Sequence, residues 1–278
     1  MFAIKTVAYD DPAAPADFTR SLRETGFAVL TGHPITPGRI TALYEAWQRF
    51  FARAEDDKRA FVEDGPAGFF PFQSENAKGA AHKDLKEFFQ IYPATELPDE
   101  VAEVTRAFYA DLMIMGTTLL AWIEENTPQD VRATFAEPLT TMLERSEQTM
   151  LRIIHYPAQE GMTIEAGAER AAAHEDINLI TLLVAGSAPG LQAQDTAGTW
   201  HAVPCDPGMI AVNVGDMLQL ASGGHYPSTT HRVVNPDTGA GARFSMPMFV
   251  HPRPDVRLSM DKTAGAYLSE RLKEIGLG

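Results

Sequence analysis

AAAHEDINLITLL, residues 171–183, joins two signals. INLITLL is an apolar run of strand character. Just before it, His174 and Asp176 stand two positions apart, and in a strand such residues point to one face. An imidazole nitrogen and a carboxylate oxygen would then reach one point, with Glu175 turned the other way. A surface pair at the start of a strand has the same spacing, so the pair alone leaves both readings open.

Similar short runs lie on either side of it. TMLRIIHY (149–156), INLITLLVAG (177–186), GLQAQ (190–194), MIAVNVG (209–215), TTHRVV (229–234) and RFSMPMFV (243–250) are each bounded by Gly, Pro, Asn or Asp. AGTW (197–200) resembles a hairpin turn. The runs recur too closely for crossover helices, which favours an antiparallel sandwich or barrel.

The first half of the chain reads differently. Phe18 and Leu22 are four apart before Gly26, the pattern of a helix over 17–26 with a glycine stop. FAVL follows as a buried strand. A second helix is expected from Thr36-Pro37 to about Phe61, with one apolar face through Ile40, Leu43, Trp47 and Phe51. GPAGFFPF (65–72) reads as a loop whose aromatics either form a lid or anchor it. A long helix is expected from Pro98 to Asn126, and a short one after Thr127-Pro128. The apolar window LMIMGTTLLAWI (112–123) is too short to span a bilayer and reads as core helix. The class is therefore α+β.

Composition narrows the partners. The chain has 278 residues and 45% hydrophobic residues, enough for a sizeable core. Lys plus Arg is 23 against 37 for Asp plus Glu, a net charge of −14. Nucleic acid and anionic membranes need basic surfaces, so neither is expected as a partner. One cysteine, Cys205, excludes an intramolecular disulfide and a multi-thiolate zinc site. The N-terminus lacks the form of a signal peptide, so a cytoplasmic location is expected. Composition leaves monomer and dimer equally open. No Gly-rich phosphate loop, HExxH, CxxC or GxSxG elbow occurs.

His231 opens the run after STT and could add a second imidazole to the His174–Asp176 pair. Two histidines and one carboxylate on one face of a metal leave three positions open, a set suited to non-haem Fe(II). Arg243 and Ser245 share a strand face by the same alternation. A guanidinium binds a carboxylate in bidentate fashion and a hydroxyl adds a further bond. The alternative for Arg243 is an exposed strand charge, although Met246, Met248 and Phe249 suggest a buried strand.

These residues carry a resemblance. The chain resembles the 2-oxoglutarate/Fe(II)-dependent oxygenases of the isopenicillin N synthase-like branch. RETGFAVLTGHPI and DLKEFFQIYP match in the first half. LRIIHYP, HEDINLITLL, GLQ, GTW, VPCDPG, VNVGDMLQLASGG, STTHRV and RFSMPMF follow in family order. The resemblance implies a distorted double-stranded β-helix (jelly roll) flanked by N-terminal helices. It divides the chain into an N-terminal helix-and-strand region (1–95), a helical bridge (96–147), the jelly-roll core (148–253) and a C-terminal helix or tail (254–278). It implies Fe(II) on His174, Asp176 and His231, and the distal carboxylate of 2-oxoglutarate on Arg243 and Ser245, with help from Tyr156. It also implies O2 as oxidant, ascorbate as a candidate reductant, and a small-molecule substrate that is most often hydroxylated, with release of succinate and CO2. Family members that do not use 2-oxoglutarate keep the Arg-x-Ser pair, so that pair leaves cosubstrate use open. A metal-binding barrel without O2 chemistry is the more distant alternative.

The chain departs from the family pattern before Pro157, where Ile154 and His155 replace Asn-Tyr. His155 then either faces the pocket or packs within the strand. Arg152 shares a face with Ile154 and Tyr156, as a substrate-anion ligand or a structural ion pair. Phe249 is a candidate for the substrate wall. Asn213 and Asp216 read as turn and packing residues. His225 and Tyr226 are expected near the mouth, and His33 and His251 in loops. Cys205 is expected to be inert.

Overall fold

The structure, a computed structural model, describes residues 2–74, 84–158, 171–184, 190–234 and 241–274. The expected strand INLITLLVAG therefore ends, for its last two residues, outside the described residues. In chain order the elements are β1 (Lys5–Ala8), α1 (Ala14–Thr25), β2 (Phe27–Thr31), α2 (Pro37–Phe51), α3 (Glu55–Arg59), β3 (Gly68–Phe70), β4 (Glu87–Ile91), α4 (Asp99–Asn126) and α5 (Gln129–Arg132). Then come β5 (Met150–Tyr156), β6 (Ala171–His174), β7 (Ile180–Val184), β8 (Leu191–Gln194), β9 (Trp200–Ala202), β10 (Ile210–Val214), α6 (Asp216–Ala221), β11 (His231–Val233), β12 (Arg243–Val250) and α7 (Ala264–Glu274).

The strands form two sheets. The larger runs β1-β2-β10-β7-β12-β5-β4-β3 and the smaller β6-β11-β8-β9. All their pairings are antiparallel except β1 with β2. This is the jelly-roll α+β architecture.

Alternation divides the large sheet's side chains. One face carries Leu182, Met246, Met248, Leu151 and Ile153, buried in the main core beneath the helices. The other face looks toward the small sheet. There Phe27, Val29 and Ala211 meet Ala193, Leu191 and Val233 in a second core.

The helices form where apolar residues recur at three and four. In α4, Val101, Phe108, Leu112, Met115, Leu119 and Ile123 are buried along one stripe. Asp99 and Glu100 sit in its first turn, where carboxylates suit the helix dipole, and Thr127 turns extended before Pro128. No described helix is long and apolar enough to cross a membrane.

α1 stops where expected. Gly26 takes φ 70° and its amide donates to the Leu22 carbonyl. A Cβ there would also lie 2.2 Å from Thr229 Oγ1, so only glycine permits this approach.

Two expectations require correction. The helix expected to reach Phe61 ends at Phe51, and α3 starts afresh at Glu55 after Ala54 turns extended. The apolar stripe runs out at Phe51, and the acidic Glu55, Asp56 and Asp57 favour a new first turn. GPAGFFPF is not wholly loop, because Gly68–Phe70 pairs with β4. Phe69 is core and Phe70 stacks on Phe88 at 4.6 Å, so these aromatics anchor the segment.

Candidate active site

The small sheet sets the two histidines side by side. His174 ends β6 and His231 begins β11, directly opposite one another in the ladder. Their ring centroids are 4.4 Å apart. Asp176 lies beyond the end of β6, so strand alternation does not bring it there, contrary to the sequence argument. The link leading into β7 delivers it, held by the Asp216 amide, which donates to the Asp176 carbonyl at 2.7 Å. The result still brings the carboxylate to the histidines. Asp176 Oδ1 lies 3.8 Å from Nε2 of each, and one donor atom from each residue falls within a 4.8 Å span.

The remaining heteroatoms are committed elsewhere. His174 Nδ1 is 2.8 Å from the Ala172 carbonyl, and His231 Nδ1 is 3.1 Å from the Thr229 carbonyl. A carbonyl can only accept, so each Nδ1 carries a proton, and in the neutral ring that leaves each Nε2 with the lone pair. Asp176 Oδ2 accepts from the Thr181 hydroxyl at 2.5 Å and from the Asn213 amide at 2.8 Å. The converging atoms are thus two imidazole nitrogens and one carboxylate oxygen, each oriented by a second bond, as metal ligands are. This donor set fits Fe(II).

Charge and burial shape the site. Asp176 is 5% exposed. Burial opposes its ionisation, but the two imidazoles and the bonds from Asn213 and Thr181 hold its carboxyl below the usual range. His174 keeps 39% of its side chain accessible, yet protein crowds the ring. Desolvation, then the neighbouring His231, pulls its pKa down to about 4. The ring is therefore neutral at pH 7, the form that binds a metal.

A second cluster lies further along the same inner face. Arg243 and Ser245 are 2% and 3% exposed, which removes the solvent-exposed reading of the arginine. Arg243 stands opposite Tyr156 across β12 and β5, with its guanidinium carbon 5.4 Å from the tyrosine ring centroid.

Between the clusters runs a mixed wall. Thr181, which holds Asp176, is the ladder partner of Phe249. The Arg152 guanidinium lies 5.6 Å from the Phe249 ring and 4.6 Å from Phe88, and donates to Gln90 Oε1. Lys86, just before β4, is 5.6 Å from the Phe88 ring and pairs with Asp84 at 2.7 Å.

Other expectations divide. His155 faces away from the pocket, 2.8 Å from Glu87 and stacked at 4.6 Å on Phe244, so it packs within the strand. His33 bonds the Gly208 carbonyl at 2.8 Å. Burial pushes the Cys205 thiol up to about 12, in keeping with an inert residue. Tyr226 is not a mouth residue. It is fully buried in the helix-side core, with its hydroxyl 2.7 Å from Thr127 Oγ1, because the Gly223-Gly224 turn folds it inward. His251 is more than a loop residue. It is 8% exposed, and desolvation lowers its pKa to about 4.

Two residues outside the expected set orient the carboxylate, Thr181 and Asn213. The sequence does hold a signal for them, since each is a lone polar side chain in an apolar strand and a buried polar group needs a partner.

Comparison with known proteins agrees with this geometry. Residues 147–252 match the model of the 2OG-Fe(II) oxygenase superfamily. Residues 6–110 match that of the non-haem dioxygenase in morphine synthesis N-terminal family. A 2-oxoglutarate-Fe(II) type oxidoreductase of Aspergillus fumigatus is 29% identical over 88% of this chain and 79% of its own. The crystal structure of a candidate oxygenase from Shewanella oneidensis is 43% identical, covers 99% of both chains and superposes with a TM-score of 0.89. The fold is also shared with the dioxygenase for auxin oxidation 1 of Arabidopsis thaliana in its 2-oxoglutarate complex. That likeness has 17% identity and a TM-score of 0.72 over 94% of this chain and 95% of that one. The protein is an oxidoreductase that uses Fe(II), 2-oxoglutarate and O2. The chain belongs to the 2-oxoglutarate/Fe(II)-dependent oxygenase superfamily.

Proposed function

We propose that this enzyme hydroxylates a small organic molecule at an iron held by His174, Asp176 and His231, with 2-oxoglutarate anchored by Arg243, Ser245 and Tyr156. The supporting observation is the commitment of every other ligand heteroatom, which leaves two Nε2 atoms and one Oδ1 converging. When bound, Fe(II) supplies the O2-dependent oxidation that converts 2-oxoglutarate to succinate and CO2 as the substrate is oxidised.

The chain's own groups do the placing. The Ala172 and Thr229 carbonyls hold the imidazole tautomers, and Thr181 and Asn213 fix the carboxylate. Phe27, 1% exposed, packs edge-on against His231 at 5.6 Å and keeps water from that side of the ring. Buried Arg243 offers a planar fork to a carboxylate, with Ser245 beside it on the strand. Arg152 and Phe249 form the wall facing the substrate. The Arg152 guanidinium lies against the Phe88 and Phe249 rings, which hold it in place on that wall.

The test is anaerobic addition of Fe(II) and then 2-oxoglutarate, watching for a visible charge-transfer band. A band that appears only with both, followed by succinate on admission of O2, is expected. No band and no succinate with any substrate in a broad panel would overturn the reading.

A further inference from the structure

Asp176 is the one candidate ligand that no strand ladder holds, since the chain between His174 and Ile180 is a link. Its backbone is secured instead by the start of α6. The Gly215 amide donates to the Leu179 carbonyl at 3.0 Å, the Asp216 amide to Asp176 at 2.7 Å, and the Met217 amide to Asn178 at 3.1 Å. These are first-turn amides with no acceptor inside their own helix, so the link satisfies them. The approach is close. A Cβ on Gly215 would lie 2.2 Å from the Asn178 carbonyl oxygen.

The Asp216 side chain reaches the other way. It is 5% exposed, and Oδ2 accepts from the Tyr267 hydroxyl at 3.1 Å and lies 3.4 Å from the Arg271 guanidinium. Tyr267 and Arg271 are four apart on α7 and so share a face. α7 has little apolar hold of its own. Ala264 is its one buried residue, with Tyr267 and Leu268 half-buried against the core. Backbone bonds from Ala264 to Val256 and from Gly265 to Pro254 secure its first turn. Beyond that turn, the polar link to Asp216 is a main tie.

We infer that Asp216 is a positioning residue, through which α7 holds the link that presents Asp176 to the metal. The inference rests on the reading of Asp176 as an iron ligand. One residue thus grips the ligand's backbone with its amide and the C-terminal helix with its carboxylate. Loss of the α7 contacts would free the start of α6, and Asp176 Oδ1 would leave the point it shares with the two Nε2 atoms. Metal sites tolerate displacements of only about 0.5 Å.

The experiment measures Mn(II) binding, without cosubstrate, from the electron paramagnetic resonance signal of the free ion. It compares wild type with the double variant Tyr267→Phe, Arg271→Gln and with Asp216→Asn, well below each apo protein's melting midpoint. The double variant leaves Asp216 in place, so it keeps the test open should the Asp216 variant fold poorly. An affinity loss of about ten-fold in the double variant, with the far-UV spectrum retained, is expected. Asp216→Asn, which keeps an acceptor for Tyr267 but loses the ion pair, should lose less. A lowered midpoint with unchanged Mn(II) affinity would mean that the link merely stabilises the fold, and would overturn the inference. Failure of wild type to bind Mn(II) would instead overturn the assignment of the metal site itself.

Discussion

Asp176 divides its two oxygens between tasks, and that division can be tested. Oδ2 takes two hydrogen bonds and Oδ1 faces the imidazoles. Thr181→Val is nearly isosteric and removes one of the two bonds. It should lower Mn(II) affinity by about 10- to 100-fold, read by titration, while the fold persists. Arg243→Ala should behave differently. It should weaken 2-oxoglutarate binding at least ten-fold, read from the charge-transfer band, and leave Fe(II) binding alone. Equal loss of both would point to a folding defect. At this scale the sequence showed the candidate ligands. Histidine, carboxylate and arginine carry unmistakable chemistry, and their spacing narrows the choice. It did not show what orients them, because a threonine or asparagine in an apolar run reveals a partner's existence and not its identity.

Elements explain why the ligands meet. The β6–β11 ladder sets His174 beside His231, and Thr229 carries the carbonyl that orients His231. Thr229 in turn packs on Gly26 at the end of α1, and its hydroxyl donates to the Thr25 carbonyl at 3.0 Å. Gly26→Ala would place a Cβ where Thr229 Oγ1 now lies and would force alanine to φ 70°. The left-handed conformation alone costs about 1–2 kcal/mol. The variant should therefore unfold at lower urea and also bind Mn(II) more weakly. Unchanged metal binding would show that the α1 stop does not reach the site. Elements with clear periodicity, such as α4 and the strands β5, β7, β8, β10, β11 and β12, were legible in advance. The break between α2 and α3 and the short strand β3 were not, since a few residues carry too little periodicity to outweigh their tertiary contacts.

The whole molecule carries a pH dependence that follows from two desolvated histidines. Desolvation pulls His174 and His251 to about 4 in the folded chain. An unfolded histidine titrates near 6.5. Between those values the unfolded state binds more protons, so the stability of the apo protein should fall as pH drops from about 6.5 toward about 4. Above about pH 7 neither group contributes a slope. Asp176, held below its usual range, adds a loss in the same direction only at still lower pH. Urea unfolding of apo protein at pH 7, 6 and 5 reads this directly, and a flat profile would contradict it. The net charge of −14 belongs to the molecule as a whole. It coexists with buried Arg243 and half-buried Arg152 on the inner wall, so composition describes the surface and not the pocket.

The sequence by itself determined the class of fold, the candidate residues for a metal and a carboxylate, and the family that arranges them in this order. Those properties are local or ordered along the chain, because alternation, glycine stops and side-chain chemistry are written residue by residue. Only the tertiary structure decided that Asp176 arrives from a link instead of a strand, that Thr181 and Asn213 orient it, that His155 and Tyr226 face away from the pocket, and that α7 reaches the same link through Asp216. All but the Thr181 bond depend on contacts between residues far apart in the chain, and the spacing of neighbours does not encode such contacts.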